Sequence, residues 1–133
     1  MIEAALQVAL FTRLSGATLG VNGVYDIAPQ ATDSGNDSAF PYLTMGRIIL
    51  SQGDTQTTVG HAAQMRIHTF SRTGSLLECK TIQGEIFAAL HKQVLTISGH
   101  ANYSLLREDT DCWGEGDSKI HGVCEYRALI ESV

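Results

Sequence analysis

No apolar run in the 133-residue sequence approaches the roughly 20 residues that a helix needs to cross a bilayer. Basic residues are also scarce. Nine Lys and Arg stand against fourteen Asp and Glu, for a net charge of −5 and a pI near 5.4. Nucleic-acid-binding surfaces usually show as basic patches, so a grip on DNA is not expected, and any DNA contact would be passage. Cysteines number three (Cys79, Cys112 and Cys124), an odd count without close pairs. That pattern does not build a secreted disulfide framework. The first residues include Glu3 and lack a basic region, so no signal peptide is expected, and folding in a reducing cytoplasm is.

Catalytic signatures are missing as well. The five histidines (His61, His68, His91, His100 and His121) include no i, i+4 pair and no HExxH. No GxSxG occurs, and Ser15, Ser34 and Ser98 beside glycines fall in expected turns. Gly20 and Gly23 lack the Lys-Ser/Thr of a phosphate-binding loop and follow a helix. Asp109, Asp111 and Gly114 match three positions of a calcium loop. Its fifth position is Trp113, and its twelfth, which should be Glu, is Ile120. A turn between two strands explains this stretch better. An enzyme, a metal site and a cofactor are therefore not expected. Cys79 and Cys124 fall at buried positions, where cysteine acts as an inert small hydrophobe. Cys112 falls in an expected loop and is the one open to thiol reagents.

What is present is a globular pattern. Apolar residues make up 44% of the chain, enough for one domain over residues 1–133 with a core of its own. Ile2, Leu6, Ala9, Leu10 and Leu14 recur at helical spacing over residues 2–14, with Gly16 and Gly20 as stop signals, since glycine tolerates the left-handed conformation at a helix C-terminus. Val24, Tyr25 and Ile27 predict a short strand halted by Pro29. Strand formers follow from Tyr42 to Leu50. In residues 63–72, Met65, Ile67 and Thr69 point one way, and Arg66, His68 and Arg72 the other. Ser75 with Glu78 three residues on has capping-box spacing, and Cys79, Ile82, Ile86 and Leu90 then line one helical face. Strands are predicted over 94–98, 102–109 and 119–131. In the last, Ile120, Cys124, Tyr126, Ala128 and Ile130 share the buried parity, and Glu125, Arg127 and Glu131 the exposed one. His68 and His121 take solvent-facing parity and are expected to be ordinary surface histidines.

The order is helix, three strands, helix, three strands. It predicts an α+β domain with a mainly antiparallel sheet of about five to six strands and two helices packed on one face. Polar residues collect in three connections, 30–39, 51–61 and 109–119, which suit contacts with partners. A hairpin around Gln52, Asp54, Thr55, Gln56, Thr58 and His61 is the candidate subunit or partner interface. Asp109, Asp111, Trp113, Glu115 and Asp117 form the candidate acidic, lumen- or partner-facing loop.

In chain order the segments EAALQVALFTRL, VYDIAPQ, AFPYLTMG, QMRIHTFSR, GSLLECKTIQGEIFAALH, LLRED and HGVCEYRALIE cover nearly the whole sequence. Together they resemble the tail-completion (tail-terminator) proteins of long-tailed bacteriophages, prophages and gene-transfer particles. The resemblance implies a virion structural protein at the head-proximal end of the tail, assembled in the host cytoplasm. It implies a hexameric ring of copies of itself that caps the tail tube and provides the surface for head–tail joining. The implied partners are the tail-tube protein and a head-completion or connector protein, with DNA passing through. No catalytic residue is implied. The alternatives are a small α+β ligand-binding or enzymatic domain, and a cytosolic tail-assembly adaptor or chaperone.

Overall fold

The computed structural model describes residues 2–17, 19–26, 40–52, 60–72, 75–116 and 119–132, the last residue in its backbone only. Helix α1 spans Ile2–Gly16, and the five residues of its apolar stripe are the ones it buries. Strand β1 is Val24–Tyr25, β2 is Tyr42–Gln52 and β3 is Gly60–Ser71. Helix α2 spans Leu76–Leu90 and buries Cys79, Ile82, Gln83, Ile86 and Leu90. Ser75 caps it, its hydroxyl accepting from the Leu77 amide at 3.2 Å. Glu78 accepts from the Ser71 hydroxyl at 2.6 Å and so ties the first turn of α2 to the end of β3. Strand β4 spans His100–Gly116 and β5 spans Lys119–Ser132.

The five strands form one sheet in the order β1-β2-β3-β5-β4. Only β1 runs parallel to its neighbour; the other pairs are antiparallel. Both helices cover the same face. Leu6, Leu10 and Leu14 of α1 and Ile82, Ile86 and Leu90 of α2 share one core with Leu43, Met65, Ile67, Tyr126, Ala128 and Ile130 of the sheet. Each large aliphatic buried there contributes roughly 1.5–3 kcal/mol of transfer free energy. The expected α+β architecture with both helices on one face is what the structure has.

Register sets the two hairpins at opposite ends of the sheet. β2 and β3 close where Gln52 pairs with His61, beside the Gly60–Glu131 pair. β4 and β5 close where Gly116 pairs with Lys119, at the end marked by the Ser71–Ile120 and Tyr42–Phe70 pairs. At about 3.3 Å per residue, the 12 residues of β3 put these ends about 40 Å apart.

Three expectations need correction. Residues 94–98 do not form a strand of the sheet. Leu95 and Ile97 are buried, but Ile97 makes only an isolated bridge to His100. The Leu95 amide donates instead to the Asn102 side chain at 2.9 Å. Asn102 in turn donates to the carbonyls of Ser104 and Leu129, so this buried amide is satisfied. Second, residues 109–116 are strand, not loop. Their Asp and Gly content reflects an exposed edge, and the ladder to β5 runs through Trp113–His121 and Gly114–Ile120. Third, Gly16 closes α1 without a left-handed conformation; among the described glycines only Gly99 and Gly116 have positive φ. The expected loop 30–39 and the strand position Ile27 lie outside the described residues.

Candidate functional site

The face of the sheet opposite the helices carries no covering layer among the described residues. Alternation along β3 and β5 sends Gln64, Arg66, His68 and Phe70, with His121, Val123, Glu125 and Arg127, to this face. It divides into two zones.

At the β4–β5 turn end the zone is aromatic. Cross-strand pairs Tyr42–Phe70, Phe70–His121 and His121–Trp113 place one ring on each of β2, β3, β5 and β4. Their centroids are 5.0, 4.4 and 4.5 Å apart. Phe40 and Tyr25 extend the row beyond Tyr42, at 5.1 and 6.0 Å. Aromatic cross-strand pairs fix register and add stability beyond the area they bury.

His121 anchors a polar chain within this row. Its Nδ1 lies 2.9 Å from Glu115 Oε2, and its Nε2 lies 2.9 Å from His68 Nδ1. A neutral His121 that donates to the carboxylate therefore accepts from the N–H of His68; this tautomer follows from the hydrogen-bond pattern. Burial is the main cause that pushes the His68 pKa below its ordinary value, reinforced by His121 and Arg66 and opposed by Glu115. Gly46 makes room for His68, because any side chain there would overlap the imidazole. These histidines are thus not the ordinary surface residues their parity suggested.

Towards the other end the zone is ionic. Arg66 pairs with Glu125 at 2.5 Å, and Gln64 donates weakly to Glu108 at 3.5 Å. Leu106 and Leu129 are exposed beside them.

The candidate residues divide between the two ends. Gln52 and His61 face one another at the outer end of the β2–β3 ladder. Asp54, Thr55, Gln56, Thr58 and Asp117 lie outside the described residues. Asp109, Asp111 and Trp113 alternate along β4, opposite Glu125, Val123 and His121, and Glu115 follows in the irregular step between Gly114 and Gly116. β4 is an edge strand, and carboxylates along such an edge discourage uncontrolled strand pairing. Among the described residues the second free edge is β2 beyond Thr44, since β1 pairs with Leu43 and Thr44. Metal-binding groups of three or more His, Cys, Asp or Glu are absent among the described residues. Helix α1 also exposes Val8 and Phe11, 65% and 41% accessible, on the side away from its buried stripe.

Beneath β4 lies a cluster that the sequence reading missed. Cys112 is not in a loop; it pairs with Gly122 on β5 and faces α2. Its Sγ is 3.0 Å from Cys79 Sγ and 2.9 Å from Gln83 Oε1. The Gln83 amide nitrogen donates to the Asp111 carbonyl at 2.8 Å and reaches the Val123 carbonyl at 3.4 Å. Gly122 allows this approach, because a methyl group there would overlap Cys79 and Gln83. The signal in the sequence was Gln83, a polar residue one position from the apolar stripe of α2.

The family model described as "Tail completion protein gp17" matches residues 4–131. The chain belongs to this family, and it is a structural protein of the phage-tail class. In fold it is similar to a chain in a solved structure titled "Virion of native gene transfer agent (GTA) particle". The TM-score is 0.84 at 19% identity, covering 98% of both chains. No curated protein matches.

Proposed function

We propose that this protein is a tail-terminator subunit that forms a ring, hexameric in the resemblance, on the end of the tail tube. The ring stops tube growth and presents the surface to which the filled head joins. The observation that carries this reading is the family match over residues 4–131. The fold supports it. A five-stranded sheet with helices on one face leaves two edges and an open face for neighbours, and a ring repeats one heterologous contact until it closes. The partners are further copies of this chain, the tail-tube protein and a head-completion or connector protein, and the location is the head-proximal end of the tail in the virion. DNA passes through the lumen without specific binding.

Two ends of the sheet supply two surfaces in this reading. Gln52, Asp54, Thr55, Gln56, Thr58 and His61 meet a neighbouring subunit. Asp109, Asp111, Trp113, Glu115 and Asp117 face the lumen or a partner, and the carboxylates keep DNA from adhering. Electron microscopy of particles assembled without this protein tests the function: overlong, headless tails are expected. Tails of normal length with heads attached would sink the proposal. Replacing residues 53–59 by Asn-Gly tests the first surface. The variant should keep the circular dichroism spectrum of the parent and fail to cap tails. Full complementation would remove the hairpin from the assembly contacts.

A further inference from the structure

We propose that Cys79 and Cys112 form a disulfide-forming dithiol, an oxidation site that clamps helix α2 to the outer arm of β4. Both cysteines are free in the structure, with sulfurs 3.0 Å apart, against a bond length of about 2.05 Å. They sit on two rigid elements, so the approach is built into the fold. Cys79 is on the buried face of α2, one turn above its Ser75 cap. Cys112 is fixed in the ladder opposite Gly122, the one residue type that leaves space for the Cys79 sulfur. Gln83 completes the arrangement. With its nitrogen pinned to two backbone carbonyls, its oxygen is directed at Cys112 and holds that sulfur beside Cys79.

The site is also reachable. Cys112 is partly exposed and opens on a surface cavity of about 400 Å³ that Lys80, Arg107, Thr110 and Asp111 also line. The two cations outnumber the Asp111 carboxylate there, which suits a carboxylate-bearing small disulfide such as oxidised glutathione. The chemistry is two exchange steps. Cys112, its proton lost to solvent, attacks one sulfur of the reagent; the reagent's S–S bond breaks and one small thiol leaves with a proton. Cys79, deprotonated in turn, attacks the Cys112 sulfur of the mixed disulfide and expels the second small thiol. Two protein thiols are oxidised and one small disulfide is reduced to two thiols. Cys79 is fully buried and burial pushes its pKa up, so its step relies on proximity, and Cys112 is the point of entry. Cys124 is a built-in control: it is buried on the same side, with its thiol directed at the Ile67 carbonyl at 3.7 Å.

The cross-link would close a loop between positions 33 apart in sequence. Such a closure predicts a Tm rise of roughly 10 °C for a chain of this size. The test equilibrates the purified full chain in graded mixtures of reduced and oxidised glutathione, then blocks free thiols and maps peptides by mass spectrometry. The expected product is an unbranched monomer, lighter by two hydrogens, with Cys79 joined to Cys112 and Cys124 free. Cys124→Ser should still form it and gain the same Tm, and Cys112→Ser should do neither. Persistent glutathionylation of Cys112 without closure overturns the proposal, as does a link through Cys124 or between chains. A closed Cys79–Cys112 bond without a rise in Tm overturns the clamp.

Discussion

The two faces of the sheet are one residue out of step and differ in kind. Along β3, Met65, Ile67 and Thr69 are fully buried under the helices, whereas Arg66 is exposed and His68 and Phe70 are half-buried on the open side. The helix side is mainly aliphatic and closed, and Met65 and Ile67 belong to one cluster with the helices. The open side is held by rings stacked across four strands and by the Glu115–His121–His68 chain. The first face therefore maintains the fold. The second has order without a covering layer among the described residues, a combination that suits an assembling subunit, where a surface must be shaped before its neighbour arrives.

The contrast breaks most readily on the covered side. Ile86 on α2 is fully buried in the shared core. Ile86→Ala should cost about 2–5 kcal/mol, from lost transfer energy and the cavity left behind. Urea unfolding measures it, and a loss under about half a kcal/mol would show that the α2 face is not part of the core.

That face was also the more legible one. The stripe Ile2, Leu6, Ala9, Leu10 and Leu14, the α2 face, and the alternation from Ile120 to Ile130 were all readable, because burial writes a period of 3.6 or 2 into the residues. Residues 94–98 carry the same alternation and are not in the sheet. Alternation reports burial, and Leu95 and Ile97 obtain it without a ladder. The outer half of β4 shows the converse. Asp109 to Gly116 is strand, yet apart from Cys112 it is exposed on both sides, so its composition reads as a loop. The aromatic row and the Cys79–Gln83–Cys112 cluster were hidden for another reason. They depend on pairing register between distant segments, such as His68 with His121, 53 positions apart, which local patterns do not encode.

On the open side a smaller effect is expected, and pH exposes it. His68 titrates below 6.5 in the fold, through burial first and then through His121 and Arg66, and it returns to about that value on unfolding. The unfolded chain therefore takes up the proton first. The stability contributed by neutral His68 is complete above pH 6.5 and is lost as the pH falls from there through the folded-state value. His68→Gln should flatten the decline in Tm over this acidic range relative to the parent. Parallel curves for the two proteins would show that His68 does not sense the change.

The smallest effect should come from a buried polar atom on the covered face. Tyr126 is fully buried, with its ring in the helix-side core opposite Met65, and its hydroxyl has no hydrogen-bond partner among the described residues. Burial pushes its pKa well above the ordinary range, so the group is a neutral phenol around neutral pH. An unpaired buried hydroxyl costs about 1–3 kcal/mol of desolvation that nothing returns. Tyr126→Phe removes that oxygen and keeps the ring, leaving a void smaller than a methyl group. The variant should match or exceed the parent in urea unfolding, by up to about 1 kcal/mol. Ile86→Ala and Tyr126→Phe then bracket the covered face: one removes packing that matters, the other a polar atom that has no partner there. A loss above about 1 kcal/mol in Tyr126→Phe would mean that an ordered water satisfies the hydroxyl, and that the covered face is wet at Tyr126.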